Sequence, residues 1–238
     1  MRRVQLKVVK LLGAAVVASW AALMGMPVPH ASAQPCPDVE VIFARGTGEP
    51  PGVGGVGQAF VDALRSQAGG RSVGVYAVNY PASADFGNGI QFALTIVDGL
   101  RDAGAHVEST AAGCPNTRMV IGGFSQGAVI AGFLTSAEIP PEIPAEYVSL
   151  VPQPVPPEVA DHVAAVALFG RPSDQFLRQV GAPPLRIGPL YADKTIDLCA
   201  PGDTICDGSP PGGPTVAHGI YPVNGMVNEA ATFAASRL

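Results

Sequence analysis

The chain has 238 residues, of which 47% are hydrophobic and 14% are charged, and its formal net charge at pH 7 is −5. After the first few residues Lys194 is the only lysine, so no basic cluster exists that could neutralise phosphates, and nucleic acid is excluded as an expected partner. The length suits one α/β domain with a full core, and no second domain or internal repeat is visible.

The first residues have the layout of a secretory signal peptide. Four basic residues precede the apolar run 11–26: Arg2, Arg3, Lys7 and Lys10. Ala31-Ser32-Ala33 then offers a small-residue cleavage site. A membrane-anchoring helix is the alternative, but glycines and prolines interrupt or end the run before it spans a bilayer comfortably. We predict that residues 1–33 are removed on secretion, which leaves a domain at 34–238 with a formal charge of −9 and no transmembrane span. Retention at the cell wall stays open.

The predicted domain begins with two strands that alternate with helices. VEVIFA at 39–44 is a short apolar run that leads into the glycine-rich loop Arg45 to Gly48, as a buried strand would. Apolar residues at helical spacing from Val56 to Leu64 predict a helix that ends at a pair of glycines. SVGVYAVNY at 72–80 predicts the second strand, and 90–111 predicts a long helix.

The middle of the chain contains a third strand and a proline-rich stretch. TRMVIGG at 117–123 predicts the strand, and the apolar residues 126–137 predict the helix that follows it. Residues 140–157 contain seven prolines, which excludes a helix or a central strand. We predict that they form an ordered rim or a loose surface loop, near the pocket mouth or far from it.

The last part of the domain completes the alternation. VAAVALFG at 163–170 is uniformly apolar and predicts a strand covered on both faces, and KTIDLCA at 194–200 predicts a fifth strand. Residues 222–238 predict a closing helix that Gly225 weakens. This order predicts a three-layer α/β/α sandwich around a central, mostly parallel five-stranded sheet, with functional loops at the carboxyl ends of the strands.

Four cysteines lie in the predicted exported domain, where disulfides persist: Cys36, Cys114, Cys199 and Cys206. Three pairings are possible. The last two are close enough to close a tight loop, which leaves the first two to tie the amino terminus to the entry of a later strand. A zinc site is the competing interpretation, but it needs C-x-x-C spacing or nearby histidines, and neither pair offers them.

The stretch MVIGGFSQGAVIAGF at 119–133 places a serine between glycines where a strand gives way to a helix. Gly123-Phe124-Ser125-Gln126-Gly127 fits G-x-S-x-G, the turn that lifts a nucleophile off the end of a strand. The pattern alone is unspecific in a glycine-rich chain, but the predicted strand and helix around it are the context that the turn requires. We therefore predict that Ser125 is a nucleophile.

A serine nucleophile needs a histidine to accept its proton, and the sequence has four histidines. His30 leaves with the predicted signal peptide. His106 lies inside a helix and precedes the serine, which is typical of a solvated or capped helix histidine. Asp161-His162 comes before the fourth strand and therefore at the wrong end of a parallel sheet. His218 remains, in an irregular loop after the last strand, and is the predicted base.

The acid of the triad has two candidates, Asp174 just beyond the fourth strand and Asp203 within CAPGDTIC. Asp203 is favoured because a disulfide around so short a loop would fix the direction of its carboxylate. The order Ser125, Asp203, His218 is then that of α/β hydrolases. The backbone N–H of Gln126 and the N–H and hydroxyl of Thr47 are the expected oxyanion donors. The loop around Thr47 lacks the G-K-[ST] ending of a phosphate loop.

Several segments together resemble the cutinase family: FARGTGEP, YAVNYPAS, CPNTRMVIGGFSQGA, VAAVALFG, and CAPGDTIC with a following histidine. The resemblance covers nearly all of 34–238 and is closest to the secreted cutinase-like proteins of mycobacteria. It implies a small α/β hydrolase without a large lid. The implied activity is that of a serine esterase on carboxylic esters with short to medium acyl chains, cutin-like or lipid-like, with no metal or cofactor.

The same resemblance implies the site residues. They are Ser125 as nucleophile, Asp203 as acid, His218 as base, Thr47 and Gln126 as oxyanion donors, and the bridges Cys36–Cys114 and Cys199–Cys206. Thr47 stands where fungal cutinases carry serine, and the proline-rich stretch is longer than in simple members. We expect a monomer with a shallow apolar pocket. The alternatives are a phospholipase or thioesterase with the same triad, and a secreted binding protein without turnover.

Overall fold

Parallel strands build the central sheet of the structure, a computed structural model that describes residues 35–209 and 213–238. The described residues contain five strands, and their order across the sheet is β2-β1-β3-β4-β5 with every pairing parallel. The strands are β1 Val39–Ala44, β2 Val73–Ala77, β3 Arg118–Phe124, β4 Val163–Phe169 and β5 Thr195–Leu198. The predicted mostly parallel five-stranded sheet is confirmed.

Helices cover both faces of this sheet. The helices of the described residues are α1 Gly54–Gln67, α2 Gly89–Gly113, α3 Gln126–Leu134, α4 Ala145–Val148, α5 Asp174–Gln179, α6 Pro189–Ala192 and α7 Met226–Ala235. Two short 3₁₀ helices, Pro157–His162 and Val216–Gly219, precede β4 and α7. Helices α1 and α7 contact each other on one face, and α2 and α3 contact each other on the other.

Alternating strand residues divide the core into two layers. Ile42 and Ile121 point towards α2 and α3, whereas Phe43 and Val120 point towards α1 and α7. All four side chains are at most 1% exposed. Successive side chains of a strand face opposite sides of the sheet, so apolar residues at every position require cover on both. The predicted three-layer sandwich is confirmed.

Register across the sheet aligns the carboxyl ends of the strands that carry the functional loops. Ala44 of β1 pairs with Gly123 of β3, Phe124 pairs with Phe169 of β4, and Phe169 pairs with Leu198 of β5. The loops that follow β1, β3, β4 and β5 therefore leave the sheet at one edge. This alignment brings distant segments of the sequence together.

The structure corrects two predictions about local elements. Gly225 does not weaken the closing helix but lies directly before it, with a φ of 93° that a side chain would disfavour, and α7 starts at Met226. The proline-rich segment 140–157 does contain a helix, the four residues of α4. Pro144 directly precedes α4, where its missing N–H removes no helical hydrogen bond, so the prolines flank this turn rather than interrupt it.

Both disulfides pair as predicted, Cys36 with Cys114 and Cys199 with Cys206. The zinc alternative is wrong for these cysteines, because a bridged sulfur offers no thiolate to a metal. The predicted signal peptide, residues 1–33, lies outside the described residues. Within the described ranges, no helix combines the length and the apolar character needed to cross a membrane.

Candidate active site

Ser125 occupies a sharp turn between β3 and α3. Its backbone has φ 53° and ψ −116°, a conformation that costs a non-glycine residue about 1–3 kcal/mol. The flanking glycines are required by close packing: a Cβ atom on Gly123 would overlap the carbonyl of Gly127, and one on Gly127 would overlap the carbonyl of Ala44. The turn therefore holds the serine above the carboxyl edge of the sheet, as the G-x-S-x-G pattern predicts.

A chain of hydrogen bonds joins the three predicted side chains. Ser125 Oγ lies 2.9 Å from His218 Nε2, and His218 Nδ1 lies 2.8 Å and 2.9 Å from the two carboxylate oxygens of Asp203. An ionised carboxylate only accepts, so Nδ1 of His218 carries the proton and Nε2 is free to accept from the serine hydroxyl. The arrangement can take a proton from Ser125 and stabilise the imidazolium that results.

The Asp203 carboxylate is fully buried yet stays ionised. Burial alone raises its pKa, but hydrogen bonds from His218 and from the hydroxyl of Tyr221 outweigh it, and the pKa lies below its usual range. The Tyr221 hydroxyl donates at 2.6 Å, and the backbone N–H of Ile205 donates at 3.1 Å. Burial, with the bond to Asp203, raises the pKa of Tyr221, so it remains a donor.

Tyr221 is not among the site residues predicted from the sequence. In the structure it is fully buried, and its hydroxyl also accepts the backbone N–H of Ala200 at 3.0 Å. It therefore links the loop of Asp203 to the segment that follows His218. An aromatic residue three positions after the histidine was the only sequence signal for this contact.

The loops that carry Asp203 and His218 are tied to each other. The Cys199–Cys206 bridge closes the first loop, and within it the backbone N–H of Asp203 donates to Ala200 at 2.9 Å. The hydroxyl of Thr215, three residues before the histidine, donates to the Gly202 carbonyl at 2.7 Å. The disulfide and these hydrogen bonds thus hold the backbone on both sides of the bond between the Asp203 carboxylate and the His218 imidazole.

Buried hydrogen bonds also fix the loop after β1, which carries Thr47. Arg45 is 4% exposed and donates to the carbonyl of Glu49 at 2.8 Å and to that of Tyr80 at 2.6 Å. The carboxylate of Glu49 accepts from the backbone N–H of Gly46 at 2.6 Å. Thr47, the donor expected on this loop, lines the same cavity as Ser125 and His218.

Gln126, the other expected oxyanion donor, is the first residue of α3 and is 5% exposed. Its side-chain amide donates to the Ser83 carbonyl at 3.3 Å, and its Oε1 is buried with no hydrogen-bond partner among the residues that the structure describes. The side chain therefore binds the segment of Ser83, and Gln126 also lines the cavity next to the serine. Its backbone N–H lies at the helix amino terminus next to the serine, where partial positive charge favours an anion.

The other candidates lie elsewhere. Asp174, the other candidate for the acid, is the exposed first residue of α5. The partner of His218 Nδ1 is Asp203 instead, and the partner of Nε2 is Ser125. His162 directly precedes β4 and lies at the amino edge, as predicted. His106 lies within α2, as expected, where its ring stacks on Tyr76 at 3.5 Å and its Nε2 lies 3.2 Å from a carboxylate oxygen of Glu40.

A cavity of about 1350 Å³ opens beside the serine and is lined mostly by apolar atoms. It is much larger than the shallow pocket that was expected. The ring of Phe124 tilts against the His218 imidazole, with centroids 4.9 Å apart, and forms part of the lining next to the serine. Residues of the segment 138–156 form another part, so the proline-rich stretch borders the cavity rather than lying far from it.

A parallel sheet with helices on both faces and a serine on a strand-to-helix turn at its carboxyl edge defines the α/β-hydrolase class. The Cutinase family model matches residues 35–238. The chain therefore belongs to the cutinase family.

Named relatives and a solved structure agree with this assignment. The chain is 61% identical to the probable carboxylesterase Culp7 of Mycobacterium tuberculosis over 174 residues, which are 73% of this chain and 89% of Culp7. It is 50% identical to the carboxylesterase Culp1 of the same organism over 227 residues, 94% of this chain and 93% of Culp1.

Among solved structures, the cutinase of Trichoderma reesei in complex with a phosphonate inhibitor superimposes with a TM-score of 0.58 at 31% identity. The match covers 85% of this chain and 77% of that one. The protein is accordingly a carboxylic ester hydrolase with the cutinase fold.

Proposed function

We propose that the protein is a secreted serine esterase that hydrolyses acyl esters through Ser125, His218 and Asp203. The observation that supports this most strongly is the 2.9 Å contact between Ser125 Oγ and His218 Nε2, with the imidazole held from behind by a buried carboxylate. A serine hydroxyl is a poor nucleophile alone, and this geometry supplies the base that it lacks.

The reaction would proceed by acyl transfer in two steps. Ser125 Oγ attacks the ester carbonyl carbon while its proton passes to Nε2 of His218, and Asp203 stabilises the imidazolium. The tetrahedral intermediate collapses as the imidazolium protonates the leaving alkoxide, which leaves an acyl group on Ser125. Water, deprotonated by His218, then attacks the acyl-enzyme, and the acid product leaves with the serine hydroxyl restored.

The negative oxygen of each tetrahedral intermediate needs donors that are already in place. We propose the backbone N–H of Gln126 and the N–H or hydroxyl of Thr47. The rigid loop around Arg45 and Glu49 supports this role, because donors that need no reorganisation are the most effective. Losing one such donor typically costs about 3–4 kcal/mol of transition-state stabilisation.

Acyl esters are the substrates that a mostly apolar cavity beside the serine would bind best. Short and medium acyl chains, as expected from the sequence, would occupy only the part of the cavity next to Ser125. The mature protein would begin near Gln34 and act as a secreted monomer, with the cell wall or a lipid surface as its setting. Mass spectrometry of the exported protein would locate its first residue.

Turnover of p-nitrophenyl butyrate by the purified protein tests this proposal. Wild-type protein should hydrolyse the ester, and Ser125→Ala should lose at least about a thousandfold in kcat/KM. Ser66→Ala, an exposed serine on α1, is the matched control and should retain full activity. Matched thioester and phospholipid substrates distinguish an esterase from a thioesterase or a phospholipase. A folded wild-type protein without turnover would instead indicate a binding protein.

A further inference from the structure

The cavity beside Ser125 is larger than a short acyl chain needs. Pockets for drug-sized ligands measure about 300–1000 Å³, whereas this one measures about 1350 Å³. Ser125 and His218 line it together with residues far along α2 and α3. The excess volume therefore extends away from the reacting groups.

Helix α2 gives the direction and the length of the cavity. The residues of α2 that line it recur at helical spacing and include Ile90, Ala93, Val97, Leu100, Gly104 and Glu108. From Ile90 to Glu108 the helix rises by about 27 Å at 1.5 Å per residue. The cavity is thus a groove that follows one face of α2 from the carboxyl edge of the sheet towards the amino edge.

The remaining surfaces of this groove are also apolar. Val129 and Phe133, one turn apart on α3, form its floor near the serine, and Leu177 packs against them from α5. The charged side chains that line the groove are Arg101 and Glu108 of α2 together with Glu138 and Glu142 of segment 138–156. A hydrocarbon chain suits such walls better than a sugar or a peptide, whose polar groups would lose water without finding partners.

Segment 138–156 covers the distal part of the groove. Ile139, Ile143, Tyr147 and Val151 of this segment recur every fourth residue among the lining residues. Arg101 of α2 donates to the Leu150 carbonyl at 2.5 Å, which attaches the segment to the helix. An ion pair of 3.1 Å between Glu142 and Arg186 attaches it on the other side.

We propose that this groove binds a long, unbranched acyl chain, of laurate length or more, with its carbonyl at Ser125 and its methyl end beneath segment 138–156. This inference rests on the proposed function and specifies its substrate class. It assigns Gly104 and Ala105 to specificity rather than to catalysis, because both line the groove beyond Leu100 and neither contacts the reacting groups.

Gly104 and Ala105 offer two ways to block the distal groove. A Cβ atom on Gly104 would lie 3.7 Å from Leu134 Cδ1 and 3.9 Å from Val155 Cγ1, so alanine fits there and a leucine side chain would reach into the groove. Ala105 is exposed, so Ala105→Trp should fold normally. Ala112→Trp is the matched control, since Ala112 is also exposed on α2 but does not line the groove.

The experiment measures kcat/KM for p-nitrophenyl esters from butyrate to palmitate, presented in mixed micelles of constant composition. The kcat/KM of wild type should rise by up to about fourfold for each methylene that enters the groove, and it should be highest at laurate or a longer ester. Ala105→Trp and Gly104→Leu should lower the palmitate value by about tenfold or more, since two or more methylenes then stay in water. Their butyrate values should stay within about twofold of wild type. Gly104→Ala and Ala112→Trp should keep the wild-type profile.

Two outcomes would overturn the inference. One is a wild-type optimum at butyrate or hexanoate. The other is a palmitate rate that the folded blocking variants leave unchanged. Either result leaves the proposed esterase intact as long as butyrate is hydrolysed in a Ser125-dependent manner. Absence of butyrate hydrolysis would instead reject the proposed function itself.

Discussion

The Tyr221 hydroxyl donates a 2.6 Å hydrogen bond to the Asp203 carboxylate, which also accepts from the His218 imidazole. Both Tyr221 and Asp203 are fully buried. The tyrosine thus helps to keep the carboxylate ionised and directs it towards the histidine, although it is not among the residues that line the cavity. Its position makes it a positioning residue for the proposed triad.

Tyr221→Phe removes one donor from a buried carboxylate and leaves the ring volume in place. Hydrogen bonds to charged groups contribute about 1.5–3 kcal/mol, so we expect kcat/KM for p-nitrophenyl butyrate to fall by about tenfold or more. The pKa of Asp203 should rise, and the acid limb of the pH–rate profile should move to higher pH. A general loss of stability would lower activity without moving that limb, and an unchanged profile would contradict the assigned role.

Asp203 also predicts how stability depends on pH. Burial raises the pKa of Asp203, but the hydrogen bonds from His218 and Tyr221 lower it by more than burial raises it. The folded protein therefore binds a proton at this carboxylate less tightly than the unfolded chain does. Its stabilising contribution is complete above the unfolded pKa of about 4 and is lost as the pH falls through the lower folded value. When the pH falls from about 4 to about 2, the free energy of unfolding should therefore decrease less for Asp203→Asn than for wild type.

Urea unfolding with the disulfides intact, repeated across that pH range, measures this difference. Asp174→Asn is the matched control, because Asp174 is an exposed carboxylate that was the other sequence candidate for the acid. Its free energy of unfolding should depend on pH as that of wild type does. The same pH dependence for Asp203→Asn and wild type would show that the carboxylate is not held in its ionised form.

The two disulfides should differ in their effect on activity. Replacing Cys199 and Cys206 with serine should cost about 2 kcal/mol of unfolding free energy on the chain-entropy model, for a sequence separation of 7. It should also lower kcat, because the bridged loop carries Asp203. Replacing Cys36 and Cys114, separated by 78 residues, should cost about 4.5 kcal/mol and leave kcat near wild type where the protein is folded. Equal kcat values for the two variants would contradict the positioning role of the short loop.

Strain at the serine predicts a further stability difference. The φ of 53° and ψ of −116° at Ser125 suit glycine and disfavour any side chain. Ser125→Gly and Ser125→Ala should both be inactive, but the glycine variant should be more stable by about 1 kcal/mol. Chemical denaturation of the two variants side by side tests this, and a more stable alanine variant would show that the turn is relaxed.

Much of this fold could be predicted because local patterns and tertiary structure agree. The apolar strands, the helical spacing that follows them and the glycines around Ser125 each require the same parallel sheet. His218 could be chosen because the carboxyl ends of parallel strands share one edge, which excluded His162. Asp203 could be chosen because it lies in a short loop that a disulfide would fix.

Other features depend on contacts between distant segments. An aromatic residue three positions after His218 does not by itself indicate that the hydroxyl of Tyr221 reaches Asp203, 18 residues away. The groove arises only where segment 138–156 packs over the face of α2, so its size was underestimated. Gly225 was interpreted as an interruption because its positive φ, which allows the chain to enter α7, is a property of the backbone fold.

The most direct test of the central claim is to locate the covalent adduct formed by an active-site phosphonate. The protein would be treated with a fluorophosphonate and analysed by intact mass and by peptide mapping. The account predicts one adduct per chain, on Ser125, that forms much more slowly in His218→Ala and is absent from Ser125→Ala. A stoichiometric adduct on another residue, or a folded wild-type protein that hydrolyses esters yet does not react at Ser125, would contradict it.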